Sequence, residues 1–459
     1  MEKTQKNKLE TASIGKLMLE LCTQTTFSIM LYNIYTITDT LFVSKGVGSA
    51  ASGAIGIFSP VLVLIGGISS TLGAGGGSII SRKLGEKDQT NAKAIVGCIM
   101  WIWLLCSLVI TIIGIVFLKP LLYLLGCTAE IYPYAVQYGR IILLSTVIST
   151  GFSGIMRAEG DIFFSTLQWS FPVIINIALN PLFIFAFHMG ITGTALATLA
   201  AQLFSAGTSA YYFFIRRSTP CRIGLRDIRW NGRISREILY IGVPALLSSF
   251  GGSFIGIAWN HVLNQVGGTL AISTFAIISR IQGFLATPFT GVMQGIQPIL
   301  GYEWGRKEIK RVKRTVFYAG RFNLIYGVFI AVCCYFGAER ILKVFTNNAE
   351  IISIGKGALK IICISFAANG IIPIVQAYFQ AIGNGKKMLL LSLCSIFIIR
   401  LPLIFISKET MNLAAMWWTY VFGDVLTAGW SVYEYFRFQK GARIHGELNE
   451  KQTEGRNNP

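Results

Sequence analysis

The sequence predicts an all-α membrane protein with twelve transmembrane helices in two pseudo-symmetric six-helix lobes. Three observations predict it. The 459 residues are 53% hydrophobic and only 13% charged, with a mean hydropathy of +0.59; a soluble domain carries about 25% charged residues. Apolar runs of bilayer length recur along the whole chain. Small-residue and loop signals also return at a fixed interval, the mark of an internal repeat.

The spans come first. A hydrocarbon core takes about 20 residues of helix. At that window, spans fall near 17–43, 52–80, 94–117, 133–156, 164–187, 191–215, 238–263, 270–300, 317–338, 353–381, 388–406 and 412–436. They must be helical, because lipid leaves an open strand edge without partners. A β-barrel is excluded, since its strands are ~10 residues of alternating polarity. The polar start MEKTQKNKLETASIGK leads into a span with no small-residue cleavage site, so no removed signal peptide is expected.

Orientation follows from the basic residues. The formal charge is +19, which raises the question of nucleic acid. The charge sits in short loops between spans, as the positive-inside rule requires, and no nucleic-acid motif accompanies it. One face collects Lys3, Lys6, Lys8 and Lys16, then Arg82, Lys83 and Lys87, then the arginines of 216–237. The same face holds Arg306 to Arg314, Lys386 and Lys387, and Arg437, Lys440 and Arg443. An even number of spans puts both termini on that face, which is expected to be cytoplasmic.

The repeat divides the chain. The longest polar connection, RRSTPCRIGLRDIRWNGRISRE, separates two sets of six spans. An offset of 220 aligns Gly48 with Gly268, Ala51 with Ala271 and Gly85 with Gly305; an offset of 223 aligns Gly160 with Gly383. The expected domains are an N-terminal lobe, 1–215, a cytoplasmic inter-lobe loop, 216–237, and a C-terminal lobe with its tail, 238–459. Two parallel halves related by an axis along the membrane normal are an alternating-access architecture, with substrate between the halves near the midplane.

Asp39 is the candidate at the centre of the chemistry. It lies in the first span, where a carboxylate is expensive, by roughly 2.5–3.5 kcal/mol on insertion scales. Such an acid faces a bundle interior or a wet cavity and marks an ion or proton site; the structural alternative is a helix-end acid near the headgroups. Asn176 and Asn180 are four apart and share a helix face. Pro181 follows at once, removes a backbone donor and marks a hinge. The alternative for the pair is a hydrogen bond between helices. Thr198 alone is a weak signal, since threonine commonly bonds its own helix.

Other polar residues in the spans carry weaker signals. Asp424 in span twelve is a second deep acid, either a second proton site or the partner of Arg400. Candidate cavity residues are Met30, Tyr35, Asn260, His261, Asn264, Arg280, Gln282, Met293, Gln376 and Gln380. Histidine titrates near neutral pH, but a packed, hydrogen-bonded His261 is the plainer reading. The nine cysteines show no metal-ligand spacing. The run LGAGGGS is no phosphate loop, because no GxxxxGK[ST] is present and its glycines lie inside an apolar span. No enzymatic residue set and no cofactor are expected.

These segments carry a family resemblance: YTITDTLFVSKGVGSAASGAIG, GGGSIISRKLGEKD, GIMRAEGD, INIALNPLFIF, GITGTALAT, GIQPILGYEWGRKE and YFQAIGNGKK. In order and spacing they resemble the multidrug and toxic compound extrusion (MATE) family across all twelve spans, closest to bacterial branches whose ion site lies in the N-terminal lobe. The resemblance implies a V-shaped protein of the bacterial cytoplasmic membrane. It implies export of bulky, often cationic compounds, driven by inward H⁺ or Na⁺. Asp39 matches the family's first-span acid, Asn176 its span-five asparagine and Thr198 its span-six threonine. Asn180 stands where many relatives carry a second acid. With one carboxylate left, a single H⁺ or Na⁺ per cycle is expected. Asn180 can still offer an oxygen ligand, but it cannot titrate. The expected partners are membrane lipids and small-molecule drugs or metabolites, and the chain is expected to be a monomer. Two rivals are a lipid-linked precursor flippase, which needs a large cationic cavity, and a channel, which needs a ring of like residues from several subunits.

Overall fold

A computed structural model describes residues 8–148, 152–409 and 412–454. Among the described residues every regular element is helical. Twelve long segments run in order: α1 (Ile14–Gly46), α2 (Ser49–Gly85), α3 (Gln89–Val116), α4 (Tyr132–Thr146 and Ser153–Ala158), α5 (Ile162–Ala186), α6 (190–215), α7 (232–267), α8 (269–305), α9 (Ile309–Phe345), α10 (Ala349–Ala381), α11 (Gly385–Lys408) and α12 (Leu413–Glu454). Each expected span falls on one of them, and residues 149–151 of the fourth lie outside the described residues. By length and composition, six helical stretches among the described residues are apolar enough to cross a membrane; one of these, 232–305, runs two spans together. The helices outrun the hydropathy windows, most of all α9 and α12, because helix continues into polar sequence outside the lipid-like run.

Local chemistry sets the ends. Asp88 caps α3 by accepting from the Asn91 amide at 3.1 Å. Asp161 caps α5 through the Phe164 amide at 3.3 Å, and Asn348 caps α10 through Glu350 at 2.9 Å. Each satisfies an orphan donor of a first turn. Directly after Pro181, α5 widens into a π-helical turn, Leu182–Ala186, because proline has no N–H to give back to the ladder. The helix continues through this turn rather than ending.

The described residues form two compact units. The first takes in 8–249, 290–315 and 378–389; the second takes in 250–289, 316–377 and 390–454. In the first unit, the basic-side ends of second-half helices pack on first-half helices. A Cβ on Gly75 would overlap the Ile238 carbonyl, and one on Gly242 the Thr71 carbonyl. The Ser78 hydroxyl donates to the Gln380 carbonyl at 2.5 Å, and Arg82 pairs with Glu237 at 3.2 Å. In a bilayer such contacts rest on close van der Waals packing and hydrogen bonds, since lipid is as apolar as the side chains. In the second unit, Trp259 stacks on Phe275 at 5.5 Å and on Trp417 at 6.4 Å.

The repeat reappears in the backbone. Gly48 and Gly268 both have positive φ, at 120° and 59°; Lys87 and Lys307 both sit at φ 62°; Gly160 and Gly383 sit at 83° and 79°. At the close of α2 and α8 the contact is reciprocal. A Cβ on Gly85 would overlap the Tyr302 carbonyl oxygen, and a Cβ on Gly305 would overlap the Arg82 carbonyl oxygen. Residues 82 and 302, like 85 and 305, are 220 apart, so the contact is isologous about a pseudo-two-fold. Gly85→Leu and Gly305→Leu should therefore lower thermal stability by similar amounts, about 1–3 kcal/mol each. Gly283→Leu, whose Cβ meets no neighbour, is the control. A Gly85→Leu protein that melts like the wild type would refute the contact.

The inter-half connection is fastened to the first unit. The Ile223 amide donates to the Phe213 carbonyl at 3.0 Å, and the Thr219 hydroxyl to the Tyr212 carbonyl at 3.0 Å. Beneath it, Tyr212 donates to the Glu159 carboxyl at 3.0 Å. Glu159 lies in the turn after α4, outside the spans, 2% exposed, beside Cys221 and near the Asp161–Arg216 pair. Burial pushes its carboxyl up to about 8, against a partial lowering by the Tyr212 hydrogen bond. The folded state thus holds a proton that the unfolded chain releases near 4.5. Stability from this group is complete below that value and falls as pH rises toward 8, by at most about 1.4 kcal/mol per unit. Glu159→Gln should flatten that part of the melting-temperature profile; an unchanged slope would rule Glu159 out as its source.

Candidate ion-coupling site

Three helices of the first unit build the site. α1 supplies Asp39, α5 supplies Asn176 and Asn180, and α6 supplies Thr198. α1 and α5 are held together by a polar seam. The Thr166 hydroxyl donates to Gln24 at 2.9 Å, and the Ser28 and Ser170 hydroxyls lie 3.4 Å apart. Farther along, Gly46 lets the end of α1 lie on Ile184 and Phe185 of the π-helical turn. Reading the sequence alone misses the seam. Its signal is there: Gln24 and Ser28, like Thr166 and Ser170, are four apart and share a face.

The site is buried. Asp39 is 6% exposed, Asn176 2% and Asn180 0%. The Asn180 amide nitrogen donates both to Asp39 Oδ1 and, at 3.0 Å, to Asn176 Oδ1. The Asn176 amide donates to the Thr198 hydroxyl at 3.1 Å, and that hydroxyl donates to the Thr194 carbonyl at 3.1 Å. Tyr35, one turn before Asp39, brings its phenol to Thr198. Asp39, Asn180, Asn176 and Thr198 thus form one hydrogen-bonded chain, and Tyr35 joins it.

Asn180 turns its amide nitrogen toward Asp39. A carboxylate only accepts, so the amide presents its donors. Asn180 Oδ1 is left buried with no hydrogen-bond partner. Exchanging the two ends of this amide would turn that oxygen toward Asp39 and Asn176. The site would then offer only oxygens to a hard cation, or acceptors to a protonated Asp39. Among the described residues no group of three or more His, Cys, Asp or Glu could hold a metal ion.

The remaining candidates fall in both units. Met30 and Met293 are partly buried in the first unit. Gln380 does not face an open cavity: it is 1% exposed, at the turn whose carbonyl Ser78 binds, with its amide nitrogen unpartnered. In the second unit, Arg400 donates to Asp424 Oδ1 at 2.8 Å, with Asp424 2% exposed. Gln282 is buried and reaches Tyr420. Asn260, His261, Asn264 and Arg280 are exposed, His261 sharing a 3.1 Å contact with Gln265 one turn on. Gln376 is partly buried.

Comparison with known proteins gives the family. The MatE family profile matches residues 25–182 and 244–406. The multidrug export protein MepA of Staphylococcus aureus (strain MSSA476) is 25% identical over 91% of this chain and 93% of its own. MepA of Staphylococcus saprophyticus is 24% identical over the same shares. Among solved structures, one described as the outward-facing conformation of a multidrug resistance MATE family transporter superposes with TM-score 0.88 at 25% identity, covering 96% of this chain and 100% of that one. A MOP superfamily transporter from Pyrococcus furiosus Vc1 (DSM3638) gives 0.88 at 25% identity over 95% and 99%. With the family profile spanning well over half its length, and with every regular element among the described residues helical, this chain belongs to the MatE family of multidrug and toxic compound extrusion transporters.

Proposed function

We propose that this chain is a secondary antiporter of the bacterial cytoplasmic membrane, with both termini cytoplasmic. It exports lipophilic, often cationic compounds in exchange for one H⁺ or Na⁺ per cycle. The observation that carries the reading is the buried Asp39 carboxylate, held by an amide whose own oxygen has no partner. In the ion-free site, Asn180 donates to Asp39. When H⁺ or Na⁺ arrives, Asp39 no longer needs that donor and the Asn180 oxygen becomes useful. α1, α5 and α6 then repack, and the affinity for the exported compound falls. An ion drives such a change only by binding the two states unequally. The multidrug export named for the MepA relatives supports this substrate class.

The working bodies in this reading are the lobes 1–215 and 238–459 joined by 216–237, in a lipid-embedded monomer. The flippase reading lacks support: it needs a large cationic cavity, and of the two candidate arginines Arg280 is exposed and Arg400 is already paired with Asp424. Dye efflux from vesicles with imposed Na⁺ or pH gradients tests the proposal. One gradient should drive export and the other should not; export driven by neither would refute antiport.

A further inference from the structure

The second unit holds a cavity that the transport reading leaves unused. It is lined by Ile255, Trp259, Arg400, Ile404, Tyr420 and Asp424, among others. The Ser365 hydroxyl also faces the Asp424 carboxyl, yet two groups are incompletely satisfied: Asp424 Oδ2 and Arg400 Nε are buried without a close hydrogen-bond partner.

The repeat says what this cavity corresponds to. The offset of 220 fixed by Gly48 and Gly268 places Trp259 at the counterpart of Asp39, and Ile255 at that of Tyr35. In α6 and α12 the offset is 222. Ser205-Ala206-Gly207, Ser209, Tyr211 and Phe214 match Thr427-Ala428-Gly429, Ser431, Tyr433 and Phe436. Tyr420 is then the counterpart of Thr198, and Asp424 that of Gln202. Pro181-Leu182 matches Pro402-Leu403 at 221, which puts Arg400 within one residue of the counterpart of Asn180. The same three helices of each half therefore wrap the same kind of site. In the first half the carboxylate comes from α1. In the second half it comes from α12, and a guanidinium stands beside it.

We propose that the cavity in the second half is a degenerate counterpart of the ion site, in which Arg400 is a tethered cation for Asp424, so that no exchangeable cation binds there. The proposal rests on the reading of Asp39 as an ion site. It accounts for one ion per cycle in a protein whose two halves are otherwise alike. Arg400 enters at the end of a π-helical turn, Cys394–Arg400. Such a turn inserts a residue into the helix and re-aims the side chains beyond it. Arginine suits the role because it stays charged and presents a planar set of donors. Removing a tethered cation leaves an acid that still requires a positive charge, and H⁺ or Na⁺ can supply it.

The experiment counts cations bound per chain, as Na⁺ bound plus H⁺ taken up near neutral pH, on purified full-length protein. Arg400→Gln should bind one cation more than wild type. Arg400→Lys should bind no extra one, and Arg400→Gln with Asp424→Asn should return to the wild-type count. Asp39→Asn should remove one cation independently. If the Asp39 reading is wrong, Asp39→Asn changes nothing, yet the difference between Arg400→Gln and wild type remains one. A folded Arg400→Gln protein with the wild-type count overturns the proposal. Should Arg400→Gln fail to fold, restoration by Na⁺ or by millimolar guanidinium supports it, and instability indifferent to both overturns it.

Discussion

Asp39→Asn is expected to abolish gradient-driven export while leaving the protein folded, inserted and able to bind its substrate. Asparagine nearly matches aspartate in size, and its oxygen can still accept from the Asn180 amide, so the hydrogen bonds between α1 and α5 survive. The negative charge does not survive. Without it the site has nothing to protonate and no charge to balance Na⁺. Coupling between two ligands is a free energy, typically 1–3 kcal/mol or roughly 5–150-fold in affinity. Removing the group that senses the ion takes this term to zero. Efflux against a gradient should fall to the vector-only level, while substrate binding in detergent should no longer depend on Na⁺ or pH. Full retention of resistance by a normally expressed Asp39→Asn protein would end the argument for this site.

Much of this is open to a reading of the sequence, for reasons that differ residue by residue. The spans are legible because lipid excludes every alternative to helix. Asp39 is legible because its neighbours are apolar enough to make it conspicuous. The repeat is legible because positions such as Gly48 and Gly268 require positive φ, where glycine is nearly free of penalty. The hidden part depends on rotation about a helix axis. The Gln24–Thr166 and Ser28–Ser170 seam consists of residues common in any membrane helix, and only the packing of α1 on α5 makes them partners. The amide of Asn180 is identical in sequence whichever end faces Asp39. Glu159 reads as one more loop acid until Tyr212 and Cys221 close over it. The π-helical turns leave no clear trace, since the Ile- and Phe-rich runs of Leu182–Ala186, Tyr211–Ile215 and Cys394–Arg400 resemble the rest of the spans. Gln380 reads as a cavity residue because it is four residues from Gln376, yet the helix ends on a packed turn and Gln380 is buried with it.

Asn180→Asp is the second change with a large expected effect, and its direction is a gain. Asn180 now donates to Asp39 with the same atom that donates to Asn176. Aspartate at 180 reverses that contact: an acceptor would face an acceptor in a buried site. Two carboxylates so placed need at least one positive charge between them, as a shared proton or a coordinated Na⁺. Cation affinity in the resting protein should rise about tenfold or more, equivalent to at least ~1.4 kcal/mol. Export should then slow, because each cycle requires release of an ion that is held more tightly. At high external ion concentration, substrate affinity should fall further than in wild type. The number of coupling ions taken up per exported molecule should rise from one toward two, read from paired ion and substrate fluxes in vesicles. Unchanged cation affinity together with unchanged charge movement would mean that residue 180 does not face the ion, and that the buried oxygen of Asn180 plays no part in coupling.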